Sequence, residues 1–346
     1  MKTIIKPIYA VALLLSLTAT TGFALEEGSR VENFRLMDHQ GASHELHYFA
    51  DAPAIVLMTH STSCSTMPQS LQSLTSMQTQ FSPAGAEFML INSDLRDRRT
   101  TVAASVADAD LPILLDPTQI IGESLGADTA GETLVVNPRD WTLAYRGDVT
   151  GAAQAVAQLV AGDEVSVDSQ PVASADCALD FPELARRAEH KNISYAKTIA
   201  PMLNDNCVSC HREGGIGPWA MSDYNMVRGF SLMIREVVRT QRMPPWHADP
   251  HVGEFSNDRS LSDDEIRTLV HWVEAGAPRG EGADLLAENS QSWPIWAMGE
   301  PDVIIDIPPE DVPASGVVDY KYKMVTNPLD KDCLLYTSDA ADDGLC

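Results

Sequence analysis

Five consecutive residues carry the most specific chemistry in this chain: Cys207-Val208-Ser209-Cys210-His211. Their spacing is C-x-x-C-H, the attachment pattern for a covalently bound c-type haem. On one helical turn two thiols can form thioethers with the porphyrin vinyl groups. The next histidine can then turn its imidazole to the iron as proximal ligand. A C-x-x-C pair also suits a disulfide or half a zinc site, so the surrounding chain has to decide. Met243, in Arg242-Met243-Pro244-Pro245-Trp246-His247, offers a soft thioether for the sixth iron position on a loop stiffened by two prolines. His247 and His251 compete with it. Met221, Met226 and Met233 lie earlier, the latter two at helix-packing positions. His271 falls within the last helix and reads as a packed or surface residue. A third centre is Cys64, which follows an apolar run and precedes a helical one; unpaired N–H groups and the helix dipole there favour thiolate.

Export supports the haem reading. Met1 to Ala24 has a basic start at Lys2 and Lys6, an apolar stretch from Ile8 to Leu17 and a small-x-small end at Gly22-Phe23-Ala24, the layout of a secretory signal. The apolar run is too short for a comfortable membrane span. Haem is attached to C-x-x-C-H outside the bacterial cytoplasm, so the two features belong together. The 346 residues carry 24 basic and 49 acidic side chains, a net charge of −25. That balance argues against nucleic acid and anionic membrane surfaces. It suits an acidic, periplasmic or otherwise exported protein that docks a redox protein partner, with no stable membrane insertion after signal removal.

The elements that must position these residues follow from periodicity. Ala54-Ile55-Val56-Leu57-Met58 reads as a buried strand, and Leu71, Leu74, Met77, Gln78 and Phe81 follow helical spacing. Glu87 to Ile91, Pro112 to Asp116 and Thr133 to Val136 are further strands, Thr100 to Ala109 is a helix, and Leu143 to Gly147 closes a hairpin. This is an α/β order. Gly28 through Gly151 resembles the redoxin branch of the thioredoxin fold (alkyl hydroperoxide reductase/thiol-specific antioxidant type). The likeness rests on the strand leading to Cys64, on Ile91-Asn92-Ser93-Asp94, Leu115-Asp116-Pro117 and Tyr145-Arg146-Gly147. The chain has Met67 where a C-x-x-C would end, Ser61 where a peroxiredoxin has threonine, and Gly131 where the family has a cis-proline. Cys64 is either a redox thiol, with Cys177 as its resolving partner, or a member of a degenerate domain that docks.

Residues 161 to 182 are polar and aperiodic, a linker composition. Beyond them, Tyr195, Ile199, Met202 and Leu203 lead helically into Cys207. Gly214 to Trp219 form a Gly-Pro turn. Met226, Phe230, Met233, Ile234 and Val237 sit at core spacing. Ser262 with Glu265 opens a last helix as a capping box, and Gly276 stops it. Residues 194–280 resemble class I cytochrome c, which implies His211 and Met243 on the iron. The run Met243 to Pro250 and the segment from Trp296 to Ile305 resemble proteins in which such a domain stands between a redoxin and a copper type II, ascorbate-dependent monooxygenase-like region. No histidine follows His271, so copper belongs only to a missing downstream domain. Cys333 to Asp342 resembles translated sequencing-library adapter.

The expected fold is therefore multi-domain: an α/β thioredoxin-like domain, an all-α cytochrome c domain and the start of a truncated β-rich region. The boundaries are a signal peptide at 1–24, the redoxin domain at 28–155, a linker at 156–190, the cytochrome c domain at 191–285, a lead-in at 286–332 and an artefactual tail at 333–346. The expected function is electron transfer through one covalent haem c held by Cys207, Cys210, His211 and Met243, relayed to a missing oxidoreductase module. The alternatives are thiol-dependent peroxide or disulfide chemistry at Cys64, or a docking scaffold.

Overall fold

A computed structural model describes residues 25–106, 110–170, 172, 174–256, 258–288, 299–307, 309–326 and 328. The secretory-signal stretch and the adapter-like tail lie outside the described residues. The chain forms two compact units: Met1–Ile193 with Ser231–Pro278, and Ser194–Phe230 with Arg279–Cys346.

The first unit is built on a mixed sheet. Its strands are β1 (Arg35–Asp38), β2 (Ser43–Glu45), β3 (Ile55–His60), β4 (Glu87–Asn92), β5 (Ile113–Leu115), β6 (Thr133–Asn137) and β7 (Thr142–Gly147), in the order β2-β1-β5-β4-β3-β6-β7. β3 runs parallel to β4 and β4 to β5, whereas β6 and β7 pair antiparallel beside β3. Every residue of β3 is buried, as a central strand covered on both faces requires. Its near-continuous apolar run is the sequence form of that burial. This is a thioredoxin-like α/β arrangement. The helices in chain order are α1 (Met67–Phe81), α2 (Arg99–Ser105), α3 (Ile120–Leu125) and α4 (Val149–Ala161). α1 buries Met67, Leu71, Leu74, Met77 and Phe81, the spacing expected of one helical face. α4 crosses the expected end of the domain: Asp148 caps it by accepting from the Gly151 N–H, and Gly162 ends it at φ +83°.

The stretch read as a linker is fastened to this unit. The Gln170 N–H donates to the Arg146 carbonyl at 2.8 Å, and the Arg146 N–H donates to Ser169 Oγ at 2.9 Å. Polar composition alone does not distinguish a free linker from a strap that satisfies its own backbone along an edge. The strap leads to α5 (Pro182–Ala185) and a helical turn over Arg187–Asn192. α8 (Ser231–Arg239) and α9 (Asp263–Glu274) also belong to the first unit. α9 has the expected capping box: Ser262 Oγ accepts from the Glu265 N–H, and Glu265 Oε2 accepts from the Ser262 N–H.

In the second unit a helical stretch runs through Tyr195–Ile199 into α6 (Ala200–Asn206), and α7 (Tyr224–Gly229) follows the Gly-Pro turn. Asp284 joins them, accepting from the Tyr195 hydroxyl at 2.8 Å and from the Tyr224 N–H at 2.7 Å. The expected single helix through Met226 and Val237 is broken at Phe230 between α7 and α8. The helical count therefore does not carry across, and Met226 and Met233 are exposed while Val227, Ile234 and Val238 are buried. The lead-in at 286–332, expected to start a β-rich region, holds no strand among its described residues; a strand needs a neighbour for its backbone groups.

The most deeply buried ion pair among the described residues lies at the hairpin, and its arginine also reaches α3. Arg146 Nη2 lies 2.5 Å from Glu132 Oε2, their side chains 4% and 0% exposed, and Arg146 Nη1 donates to the Leu125 carbonyl at 2.9 Å. Arg146→Met strands a buried carboxylate and should cost about 3–5 kcal/mol in urea denaturation, whereas Arg146→Met with Glu132→Leu should recover most of it. Equal losses in both variants would contradict this account.

Candidate functional site

β3 ends at His60 and α1 begins at Met67, so Cys64 lies in the turn between a strand end and a helix start. It is bonded to Cys177, with Cα atoms 4.4 Å apart across 113 residues of chain. Cys64 is thus paired with Cys177, and a disulfide sulfur has no thiolate for the helix dipole to stabilise. Both residues are buried, at 3% and 2% exposure. The Thr66 hydroxyl lies 3.3 Å from Cys64 Sγ and 3.4 Å from Cys177 Sγ. The Ala130 N–H donates to the Cys177 carbonyl at 2.7 Å, and the Leu179 N–H to the Asp128 carbonyl at 2.9 Å. The loop before β6 still faces the cysteine although Gly131 replaces proline. Gly131 adopts φ +90°, and its N–H donates to the Thr59 carbonyl at 2.8 Å, a bond that proline cannot make.

Polar groups surround this turn. The Ser61 hydroxyl donates to Asp94 Oδ2 at 2.6 Å, and Arg96 Nη2 donates to the same oxygen at 2.7 Å. Burial disfavours the Asp94 carboxylate, but hydrogen bonds from the Arg96 side chain, Ser61 and the Arg96 N–H outweigh it and bring its pKa down to about 2. Arg96 Nη2 also donates to Ser63 Oγ at 3.0 Å. His60, fully buried, accepts from Asn92 Nδ2 at Nδ1 and donates from Nε2 to Ser105 Oγ at 3.1 Å.

Residues 28–150 match the AhpC/TSA family. This segment is a thioredoxin-like redoxin domain. Among solved structures, the chain is similar to an uncharacterised conserved protein from Geobacillus kaustophilus (22% identity, TM-score 0.41, 46% of this chain and 94% of that one). It is also similar to the peroxidoxin BcpB from Mycobacterium tuberculosis (18%, 0.35, 40% and 97%). A third is a secreted M. tuberculosis disulfide oxidoreductase homologous to E. coli DsbE (13%, 0.31, 36% and 94%). No curated protein matches the chain. The redoxin domain carries one bonded cysteine pair, Cys64 with Cys177.

The second unit holds the C-x-x-C-H motif. The Cys210 and His211 N–H groups donate to the Cys207 carbonyl at 3.1 and 2.9 Å, which makes the motif one helical turn. Cys207 and Cys210 carry half-buried thiols. The Gly217 N–H donates to the Cys210 carbonyl at 2.9 Å and the Met221 N–H to the His211 carbonyl at 2.9 Å, folding the Gly-Pro turn back over the motif. A Cβ on Gly217 would stand 2.8 Å from His211 Nδ1 and 2.9 Å from the Cys210 carbonyl, so the turn closes only with glycine there. His211 Nδ1 lies 3.1 Å from the Trp219 carbonyl oxygen. That oxygen only accepts, so Nδ1 carries the proton and the Nε2 lone pair is left for a ligand. Trp219 stacks on Phe230 at 4.2 Å, tilted by 13°. The donor set and its orientation fit a covalent haem c with His211 as iron ligand. The Trp219 carbonyl that holds His211 Nδ1 is not revealed by a side-chain motif; the Gly-Pro turn before it was the only signal.

Met243 belongs to the first unit. It is half-buried in the wall of a cavity of about 480 Å³, with Trp246, His247, His251, Leu261 and Ile266. The wall holds the two histidine competitors as well as the methionine. His247 and His251 are exposed, whereas the Met243 N–H is anchored to the Val237 carbonyl at 3.1 Å. No helix among the described residues is long and apolar enough to cross a membrane.

Two predictions concern this turn. Burial holds the His60 pKa at about 4, below its ordinary 6.5, so the unfolded chain takes up the proton first. Stability should be fully present above pH 6.5 and fall by roughly 3 kcal/mol by pH 4. His60→Gln should flatten that part of a thermal-denaturation pH profile; an unchanged slope would mean that other groups set it. Cys177→Ser should cost about 2–4 kcal/mol in chemical denaturation through the lost cross-link, and a loss below 0.5 kcal/mol would show that the bridge carries little.

Proposed function

We propose that this protein is an exported electron-transfer protein whose second unit carries one covalent haem c. The single observation that carries the reading is the orientation of His211: Nδ1 is held by the Trp219 carbonyl, 3.1 Å away, and Nε2 is left as the ligand atom. A hydrogen-bonded Nδ1 fixes the tautomer and the ring direction and raises the basicity of the ligating nitrogen. Haem c, when bound, supplies a one-electron Fe(III)/Fe(II) couple. The chain's residues do the rest. Cys207 and Cys210 tether the group, the Gly-Pro turn covers the motif, and the stacked pair Trp219 and Phe230 shields its flank. Met243 is the proposed sixth ligand on the strength of its Pro-Pro loop. The acidic surface, with a net charge of −25, would steer a basic redox partner and make the encounter salt-dependent.

Expression with a c-type haem maturation system should yield one covalent haem per chain that cycles reversibly between ferric and ferrous forms. Cys207→Ser with Cys210→Ser should abolish attachment. Gly217→Ala should cut haem incorporation severalfold, because the added methyl displaces the His211 ring. Met243→Ala should remove the long-wavelength charge-transfer band of methionine-ligated ferric haem. Failure of the intact motif to acquire covalent haem in a competent host would overturn the proposal.

A second reading is favoured by the Cys64–Cys177 pair. The redoxin domain would cycle between disulfide and dithiol, two electrons and two protons per turn, with the Thr66 hydroxyl hydrogen-bonded to the departing sulfur. At 3% and 2% exposure, an attacking thiolate reaches either sulfur only after local opening of the strap. Peroxide or disulfide turnover that disappears in Cys64→Ser would support this reading; turnover that survives would sink it.

A further inference from the structure

A cluster of histidines and carboxylates in the first unit serves neither proposed chemistry. Glu183, on α5, and His190, on the turn that follows it, meet His271 of α9, and each offers a ligand atom within 4.8 Å of the other two. His190 Nε2 lies 3.1 Å from Glu183 Oε2. His271 Nε2 lies 3.0 Å from Oε2 of Glu123, on α3. The imidazole rings stack at 4.0 Å with an 11° tilt.

Two hydrogen-bonded histidine–carboxylate pairs could stand here for structural reasons alone, but Glu123 argues against that. Its side chain is 9% exposed, and Oε1 is buried with no hydrogen-bond donor. A buried carboxylate oxygen without a donor is costly, and a cation relieves that cost. The spacing also suits a metal. Nitrogen and oxygen ligands about 2.0–2.2 Å from a tetrahedral zinc ion lie about 3.3 Å from one another, and two neighbouring pairs stand at 3.0 and 3.1 Å already. His271 and His190 are buried while the Glu183 side chain is 21% exposed. An ion therefore has an entrance on the Glu183 side, where Arg186 holds only the other oxygen, Oε1, at 3.0 Å.

We propose that Glu183, His190 and His271, with Glu123 beside His271, form a binding site for one divalent transition-metal ion of the zinc class. Two imidazoles beside a carboxylate suit such an ion better than calcium or magnesium, which take oxygen ligands. The ion is structural: it joins the strap after Cys177 to α9, two segments far apart in sequence. Its binding energy would add directly to the stability of the first unit.

The test is calorimetric titration of the chelator-treated full chain with zinc chloride, run with Cys207→Ser and Cys210→Ser in every sample so that those thiols cannot take the metal. One equivalent should bind at micromolar or lower dissociation constant, and Glu183→Gln and His190→Asn should each weaken it at least tenfold. Circular dichroism checks that both variants remain folded. Glu183→Gln is the safer substitution because that side chain reaches solvent. Zinc should raise the melting temperature of the parent and not of the variants, and anomalous scattering at the zinc edge should place the ion between His190 and His271. No binding, or binding unchanged in folded variants, would overturn the proposal.

Discussion

The cross-link between Cys64 and Cys177 is the constraint on which the arrangement of the first unit depends. It closes 113 residues of chain and draws a polar, aperiodic segment down onto the redoxin domain. Backbone bonds continue the attachment, from Ala130 to Cys177 and from Leu179 to Asp128. Gln119 Nε2 then takes hold of the Asp180 carbonyl at 2.7 Å. Phe181 lies so close to Gly122 that a Cβ there would stand 2.7 Å from its ring. Only after these contacts does the chain reach Glu183 and His190 beside His271. A segment with too little apolar surface to fold by itself acquires a fixed path because the covalent bond and these hydrogen bonds together offset the entropy of ordering it.

The same bond changes what the redoxin domain can do. A strand-to-helix turn with exposed N–H groups is a general device for stabilising thiolate. Here it holds a buried disulfide, and the remaining polar groups of the turn serve Asp94, Arg96 and Ser61. Reactivity would have to be released by opening the strap, which links any thiol chemistry to the stability of the strap. The second unit has the opposite character. Its cysteines are half-buried thiols, its histidine is pre-oriented by a main-chain oxygen, and glycine at 217 lets the turn close over the motif.

The strands from β3 to β7 were legible because a buried sheet leaves continuous apolar runs, and α1 and α9 because one apolar face repeats at helical spacing. The capping box at Ser262 and Glu265 is a local motif, so it could be read without any knowledge of the fold. The linker assignment missed the strap, since its fixed path depends on Cys177, Ala130 and Asp128 rather than on its own composition. The core face expected through Met226 and Met233 was misplaced because the break at Phe230 resets the helical count. His271 read as a packed or surface residue, and it is buried; its neighbours Glu123, on one segment, and Glu183 and His190, on another, leave no trace at any single spacing.

By itself the sequence determined what lies within a few residues: Cys207, Cys210 and His211 on one turn, and strands β3 to β7, whose apolar runs mark a buried sheet. Only the tertiary structure decided what depends on distance through space: the partner of Cys64, the carbonyl that orients His211, and the meeting of Glu123, Glu183, His190 and His271. The physical reason is range. Backbone geometry links residues a few positions apart, whereas contacts across 100 or more residues are set by packing, cross-linking and the burial of charge, which no short pattern of residues records.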